Sequence, residues 1–177
     1  MIASRPGKLT HAETMLYEID MFRETARQLE ADKWQGEFHK WVVLEAFLLH
    51  FRNVIEFFGR PNPRPTDLSI EKPESFWPDP VKRPSEATLA QLRKPDLWNT
   101  YDGAANRFSI SKYLQHCTEQ RIDDQDWNVS EMHNALRATV DEFEQLLPNT
   151  SRPWRQPQAR GGVEILGPTS SSTATVA

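Results

Sequence analysis

The chain has 177 residues, of which 38% are hydrophobic and 26% charged, and its formal net charge is -4. The length is typical of one domain, and the negative charge argues against a strongly basic DNA-binding protein. One cysteine excludes a disulfide framework and a cysteine-based zinc site. The chain has no apolar run of about 20 residues and no signal-peptide core, so we predict a cytoplasmic protein that spans no membrane.

Two helices are predicted in the first third of the chain. Thr10 followed by Glu13 has the arrangement of a capping box. Apolar residues then recur at spacings of three and four over residues 12–29, which is typical of a helix with one apolar face. The next segment, 34–58, is apolar around nearly its whole circumference, and Gly59 marks its end. We therefore predict a surface helix followed by the buried central helix of a bundle.

The second half of the chain begins with a proline-rich segment. Seven of the thirteen prolines fall within residues 60–84, which predicts a long irregular crossover that packs across the bundle. Ser85 is the expected cap of a short helix that ends at Leu92. Two further helices are predicted over residues 102–121 and 129–147.

Ser, Thr, Pro, Gly and Gln dominate the chain from Asn149 onward, which predicts a disordered tail over residues 149–177. No segment shows the alternation expected of paired strands. The sequence therefore predicts an all-α fold, in which a bundle of four main helices with a proline-rich crossover occupies residues 10–148.

Polar residues interrupt the apolar surface of the central helix at Glu45, His50, Arg52, Asn53 and Glu56. Glu45, Arg52 and Glu56 fall within about 40° of one another around the helix. Buried charges are costly unless they are paired, so two interpretations are open. In the first, Arg52 bridges the two glutamates and His50 caps a backbone group. In the second, the polar strip lines a functional cleft.

A second polar group, on the helix predicted over 102–121, consists of Lys112, His116 and Arg121. Lys112 and His116 are four residues apart and therefore share a helix face. A neighbouring cation favours the neutral form of an imidazole, which can act as a general base. A solvated helix flank is the alternative interpretation.

Several catalytic motifs are missing from the sequence. We find no phosphate-binding glycine loop, no nucleophile elbow and no HExxH metal motif. None of the five histidines follows a glutamate by three residues, the spacing that di-iron bundles need. We therefore expect neither a metal nor a cofactor.

The two polar groups together resemble a known pattern. The segments His-Phe-Arg-Asn at 50–53 and Lys-Tyr-Leu-Gln-His-Cys-Thr-Glu-Gln-Arg at 112–121 look like those of an uncharacterised bacterial all-helical family. In that family a His-x-Arg-Asn motif precedes a Lys-x3-His-x4-Arg motif on a later helix. The family is distantly similar to HEPN domains, which are all-α, usually dimeric, and in many cases metal-independent ribonucleases of toxin or defence systems.

The resemblance implies RNA binding or metal-independent RNA cleavage. His116 or His50 would be the general base for a ribose 2′-OH, and Arg52 with Lys112 would steady the phosphate charge. Asn53 would orient His116. Arg121 would join Lys112 in binding the substrate. RNA and a second copy of the chain are the expected partners. Independently of the resemblance, the polar strip needs a polar neighbour, which predicts that Arg52 or Asn53 contacts His116 within one chain.

A non-catalytic dimerising interaction module or accessory subunit is the alternative function. Phe76, Trp77, Trp98 and Trp127 lie in or near the irregular crossover, and tryptophan is enriched at protein interfaces. Ordinary core packing of a long loop would explain the same aromatic residues.

Overall fold

The structure is a computed structural model that describes residues 9–32, 34–104, 109–115, 126–148 and 152–155. Within these ranges the fold is all-α and contains no strand, as predicted. The described helices are α1 (His11–Ala31), α2 (Glu37–Gly59), α3 (Glu86–Leu92), α4 (Pro95–Tyr101), α5 (Ile110–Gln115) and α6 (Val129–Leu146). The four predicted main helices correspond to α1, α2, α5 and α6.

Helix α1 begins as predicted. The Thr10 hydroxyl accepts a hydrogen bond from the Glu13 amide at 3.1 Å, and the Glu13 carboxylate accepts one from the Thr10 amide at 2.9 Å. This reciprocal pair satisfies two amide donors that the first helical turn cannot pair internally. On the apolar face of α1, Ile19 and Phe22 are fully buried against the rest of the bundle.

Helix α2 is the central helix, and its carboxyl-terminal two thirds form the middle of the core. Phe47, Phe51 and Ile55 are fully buried, and α2 packs against α1, α4 and α5. The helix begins at Glu37 rather than near residue 34. Gly36, with a φ of 105°, adopts a backbone conformation that a helix does not contain.

The proline-rich crossover over residues 60–84 is irregular and packs on the bundle, as predicted. Phe76 and Trp77 are buried, and the Trp77 indole donates a hydrogen bond to the Leu146 carbonyl at 2.9 Å. Core packing therefore explains these two aromatic residues. They are not available as an interaction surface.

The chain between α3 and α5 differs from the prediction. Helix α4 is unpredicted, although Pro95 occupies a first-turn position that suits proline at a helix start. Asp102 lies in the turn after α4 rather than at the start of a helix, and α5 begins at Ile110. The remainder of the predicted helix, residues 116–121, lies outside the described residues.

Four residues of the predicted tail are described, and they pack on α1. Pro153–Arg155 form a 3-10 turn. Asp20 of α1 accepts hydrogen bonds from the Arg152 guanidinium at 2.9 Å, the Trp154 indole at 2.8 Å and the Arg155 Nε at 2.6 Å. This short stretch is therefore ordered, in contrast to the prediction. The rest of the predicted tail lies outside the described residues.

Candidate functional site

Two of the predicted site residues, His50 and Asn53, contact one carboxylate of α1. The His50 side chain is nearly buried, at 8% exposure for the residue, and its Nδ1 lies 2.7 Å from Glu18 Oε2. The Asn53 amide donates a hydrogen bond to the same oxygen at 2.9 Å. Glu18 therefore fixes the orientation of both side chains and connects α1 to α2.

The third residue of this motif, Arg52, lies between two carboxylates. Its Nη1 is 2.9 Å from Glu56 Oε2, and its Nε is 3.0 Å from Asp102 Oδ2 and 2.7 Å from Ser111 Oγ. Asp102 also accepts hydrogen bonds from the amide and the hydroxyl of Ser111, each at 2.7 Å. Arg52 thus joins α2 to the turn after α4 and to the first turn of α5.

The Asp102 end of this network is shielded from water, since the Asp102 side chain is only 2% exposed. Tyr101 lies edge-to-face against Phe51, with ring centroids 5.0 Å apart. Burial, and to a lesser degree the charge of Glu131, raises the pKa of the Tyr101 phenol. A charge in such poorly solvated surroundings requires a close partner, which Arg52 and Asp102 give each other.

The structural interpretation of the polar strip is right about the Arg52–Glu56 pair, whereas the second carboxylate against Arg52 is Asp102 where Glu45 was predicted, and it is wrong about His50. Arg52 does pair with Glu56, as predicted. The Nδ1 of His50 contacts the Glu18 carboxylate instead of a backbone group. Glu18 and Asp102 are the partners that the sequence did not identify, because periodicity assigns Glu18 to the flank of α1 and Asp102 to a helix start.

A small cleft adjoins the network on the crossover side. Its volume is about 200 Å³, and Glu18, Asn53, Glu56 and Asp67 are among the side chains that line it. Arg60 pairs with both Glu56 and Asp67. Three carboxylates make this cleft a poor site for a phosphodiester, because like charges repel. Among the described residues, no three metal-binding side chains come together.

The structure describes only some of the residues that were predicted to bind and cleave RNA. Lys112 lies on α5, where its side chain is half-buried, whereas His116 and Arg121 lie outside the described residues. The predicted contact between His116 and Arg52 or Asn53 therefore stays a prediction. Its functional test is cleavage of mixed RNA in EDTA, which should be lost in the His116→Ala variant.

A second candidate site is an exposed apolar surface on the amino-terminal half of α2. Phe38, Trp41, Val42 and Leu49 are 82%, 53%, 49% and 43% exposed, respectively. They lie within about 100° of one another around the helix, and we call them the α2 stripe. The positions 38, 42, 45 and 49 follow the alternating four- and three-residue spacing of a coiled-coil seam.

The sequence did not reveal this stripe. An all-round apolar segment predicts a helix buried on every side, and that prediction is wrong for the first half of α2. The available signal was the seam spacing at Phe38, Val42 and Leu49. It was hidden because the buried residues Val43, Phe47 and others fill the remaining directions.

Comparisons of this chain with protein-family models, with curated proteins and with solved structures find no match. The likeness to HEPN domains therefore stays a prediction carried by the two motifs. In the part of the chain that the structure describes, no helix combines the length and the apolar character needed to cross a membrane.

Proposed function

We propose that the protein is a non-catalytic interaction module that forms a homodimer through the α2 stripe. One observation carries this proposal. Five large apolar side chains are exposed among the described residues, and four of them lie on one face of α2. Single exposed apolar residues are ordinary, but a contiguous apolar face on a globular protein marks an interaction site.

A second copy of the same chain fits the stripe because the stripe is self-complementary. In an interface with two-fold symmetry, each apolar residue is used twice, once from each chain. Phe38 has the most to gain, since full burial of such a side chain contributes about 1.5–3 kcal/mol relative to exposure. Residues 38–49 span roughly 16 Å of helix, which is long enough for three turns to interlock.

The charge pattern favours an antiparallel pairing of the two α2 helices. Glu45 lies on the seam between Val42 and Leu49. A parallel pairing would set Glu45 directly against Glu45 of the second copy, and two like charges at that distance repel each other. An antiparallel pairing instead sets Glu45 opposite Val42, and Phe38 opposite Leu49, of the second copy.

In this proposal the buried polar network has a supporting role. Glu18 and Asp102 hold α2 at fixed positions against α1 and α5 through His50, Asn53 and Arg52. A rigid helix presents its exposed face with little loss of conformational freedom on binding, and this lowers the cost of association.

Replacing Phe38 with glutamate is expected to convert the dimer into a monomer, because two buried charges would replace two aromatic contacts. The measurement is size-exclusion chromatography with light scattering at matched protein concentration. Val81→Glu is the matched control, since Val81 is 92% exposed on a 3-10 turn outside the stripe.

The control variant should remain dimeric, and both variants should keep the helical circular dichroism of the wild type. A Phe38→Glu protein that stays dimeric would place the interface elsewhere. If the Val81→Glu protein dissociated to the same extent, the loss of the dimer could not be attributed to the α2 stripe.

A further inference from the structure

A cavity lies where α1 ends and where α2 and α6 begin. Its volume is about 440 Å³, within the range of small-molecule sites. Three tryptophans are among the residues that line it, Trp34, Trp41 and Trp127. Half of the six tryptophans of the chain therefore meet at one cavity.

Two of these rings are held in place by neighbouring side chains. The Trp34 indole donates a hydrogen bond to Asp32 Oδ1 at 2.6 Å, and its ring lies edge-on to His39 with centroids 5.7 Å apart. The Trp127 ring lies edge-on to Tyr113 at 5.8 Å. The aromatic wall is thus built before any ligand arrives.

The charges around the cavity are mostly negative. The carboxylates of Glu30, Asp32 and Asp126 line it together with one ammonium group, that of Lys40. Because carboxylates outnumber the ammonium by three to one, the cavity attracts cations and repels phosphates and carboxylates. Aromatic faces strengthen the same preference, since a cation over an indole ring is attracted by the ring quadrupole.

We propose that this cavity binds a methylated ammonium group, such as a trimethylammonium. Against the indole rings a primary ammonium, which is strongly hydrated, finds no hydrogen-bond acceptor, so only the carboxylates of the lining could replace the water that it loses. A trimethylammonium group carries the same charge but presents methyl groups, which pack favourably against indole rings. The group could belong to a small molecule such as choline or to a trimethylated lysine in a peptide.

Trp41 belongs to both the cavity and the α2 stripe, so a variant that tests the cavity alone has to lie at another lining residue. Trp34 and Trp127 lie outside the α2 stripe, and Phe38 and Leu49 do not line the cavity. Ligand binding by the Trp34→Ala variant therefore tests the cavity without altering the α2 stripe.

Isothermal titration of the full chain with choline tests the proposal. The matched ligand is 3,3-dimethylbutan-1-ol, which has the shape of choline without its charge. We expect saturable choline binding that is about tenfold tighter than binding of the neutral analogue. Choline affinity should fall about tenfold in Trp34→Ala, which removes one indole ring, and stay unchanged in Val81→Ala, since Val81 lies in neither the cavity nor the α2 stripe.

A second pair of ligands distinguishes the two sources of the group. A short peptide with trimethyllysine is titrated beside the same peptide with unmodified lysine. Tighter binding of the methylated peptide than of choline supports a protein ligand, and the reverse order supports a small molecule. Equal binding of choline and its neutral analogue, unchanged binding by Trp34→Ala, or no saturable binding of any methylated ligand overturns the proposal.

Discussion

Replacing Asp102 with alanine is expected to lower the free energy of unfolding by about 3–5 kcal/mol, the usual cost of removing one partner of a buried ion pair. The Asp102 side chain is 2% exposed and lies 3.0 Å from Arg52 Nε. It also accepts two hydrogen bonds from Ser111. Without it, the Arg52 guanidinium keeps Glu56 and the Ser111 hydroxyl but loses its second carboxylate.

The measurement is urea unfolding followed by circular dichroism, with Asp141→Ala as the matched control. Asp141 also pairs with an arginine, Arg23, but its side chain is 49% exposed. An ion pair at such an exposed position contributes about 0–1 kcal/mol, so the control should lose little stability. Similar losses of stability in Asp102→Ala and Asp141→Ala would contradict the interpretation that the Asp102–Arg52 pair is a buried, stabilising ion pair.

Replacing Gly59 with alanine is expected to destabilise the fold by about 3 kcal/mol, at the upper end of overpacking effects. An added Cβ would lie 2.2 Å from the carbonyl oxygen of Lys94 and 2.8 Å from its carbonyl carbon. Those backbone atoms cannot move away easily, because the Lys94 amide donates a hydrogen bond to the Phe58 carbonyl at 2.9 Å. Helix propensity alone would make the alanine variant more stable by about 1 kcal/mol. A net loss of stability would therefore identify the steric clash as the dominant effect.

Urea unfolding of the double variant Gly59→Ala/Lys94→Ala identifies the origin of this loss of stability. Lys94→Ala shortens the Lys94 side chain but leaves its carbonyl in place. It should therefore fail to restore the stability of the Gly59→Ala protein. Rescue by Lys94→Ala, or a stabilising effect of Gly59→Ala alone, would show that the close approach of α2 to the start of α4 is not what fixes this glycine.

The elements that the sequence predicted well depend on local chemistry. Thr10 and Ser85 cap α1 and α3 because each side chain reaches an amide three residues ahead. Periodicity predicted α6 closely, since Leu136 and Phe143 belong to one continuous apolar face. Such interactions span a few residues, so their pattern is visible in the sequence itself.

The partners in the polar network could not be predicted in the same way. Glu18 precedes His50 by 32 residues and Asp102 follows Arg52 by 50, so each contact depends on how separate helices pack. Periodicity identified the strip that needed a polar neighbour. It did not identify α1 as one of the elements that supply it.

The α2 stripe was hidden for a related reason. Phe38 and Phe47 are both phenylalanines on one apolar helix, yet the first is 82% exposed and the second is fully buried. Composition cannot distinguish them, because the difference lies in which neighbouring elements cover each half of α2. Only the assembled fold separates the core face from the exposed face.

The mass of the wild-type protein in solution tests the proposed homodimer most directly. Sedimentation equilibrium over a wide range of protein concentration is the appropriate measurement. We predict a species whose mass approaches twice the 20.5 kDa of one chain as concentration rises. A mass of 20.5 kDa at every concentration would contradict the proposal that the α2 stripe pairs with a second copy of itself.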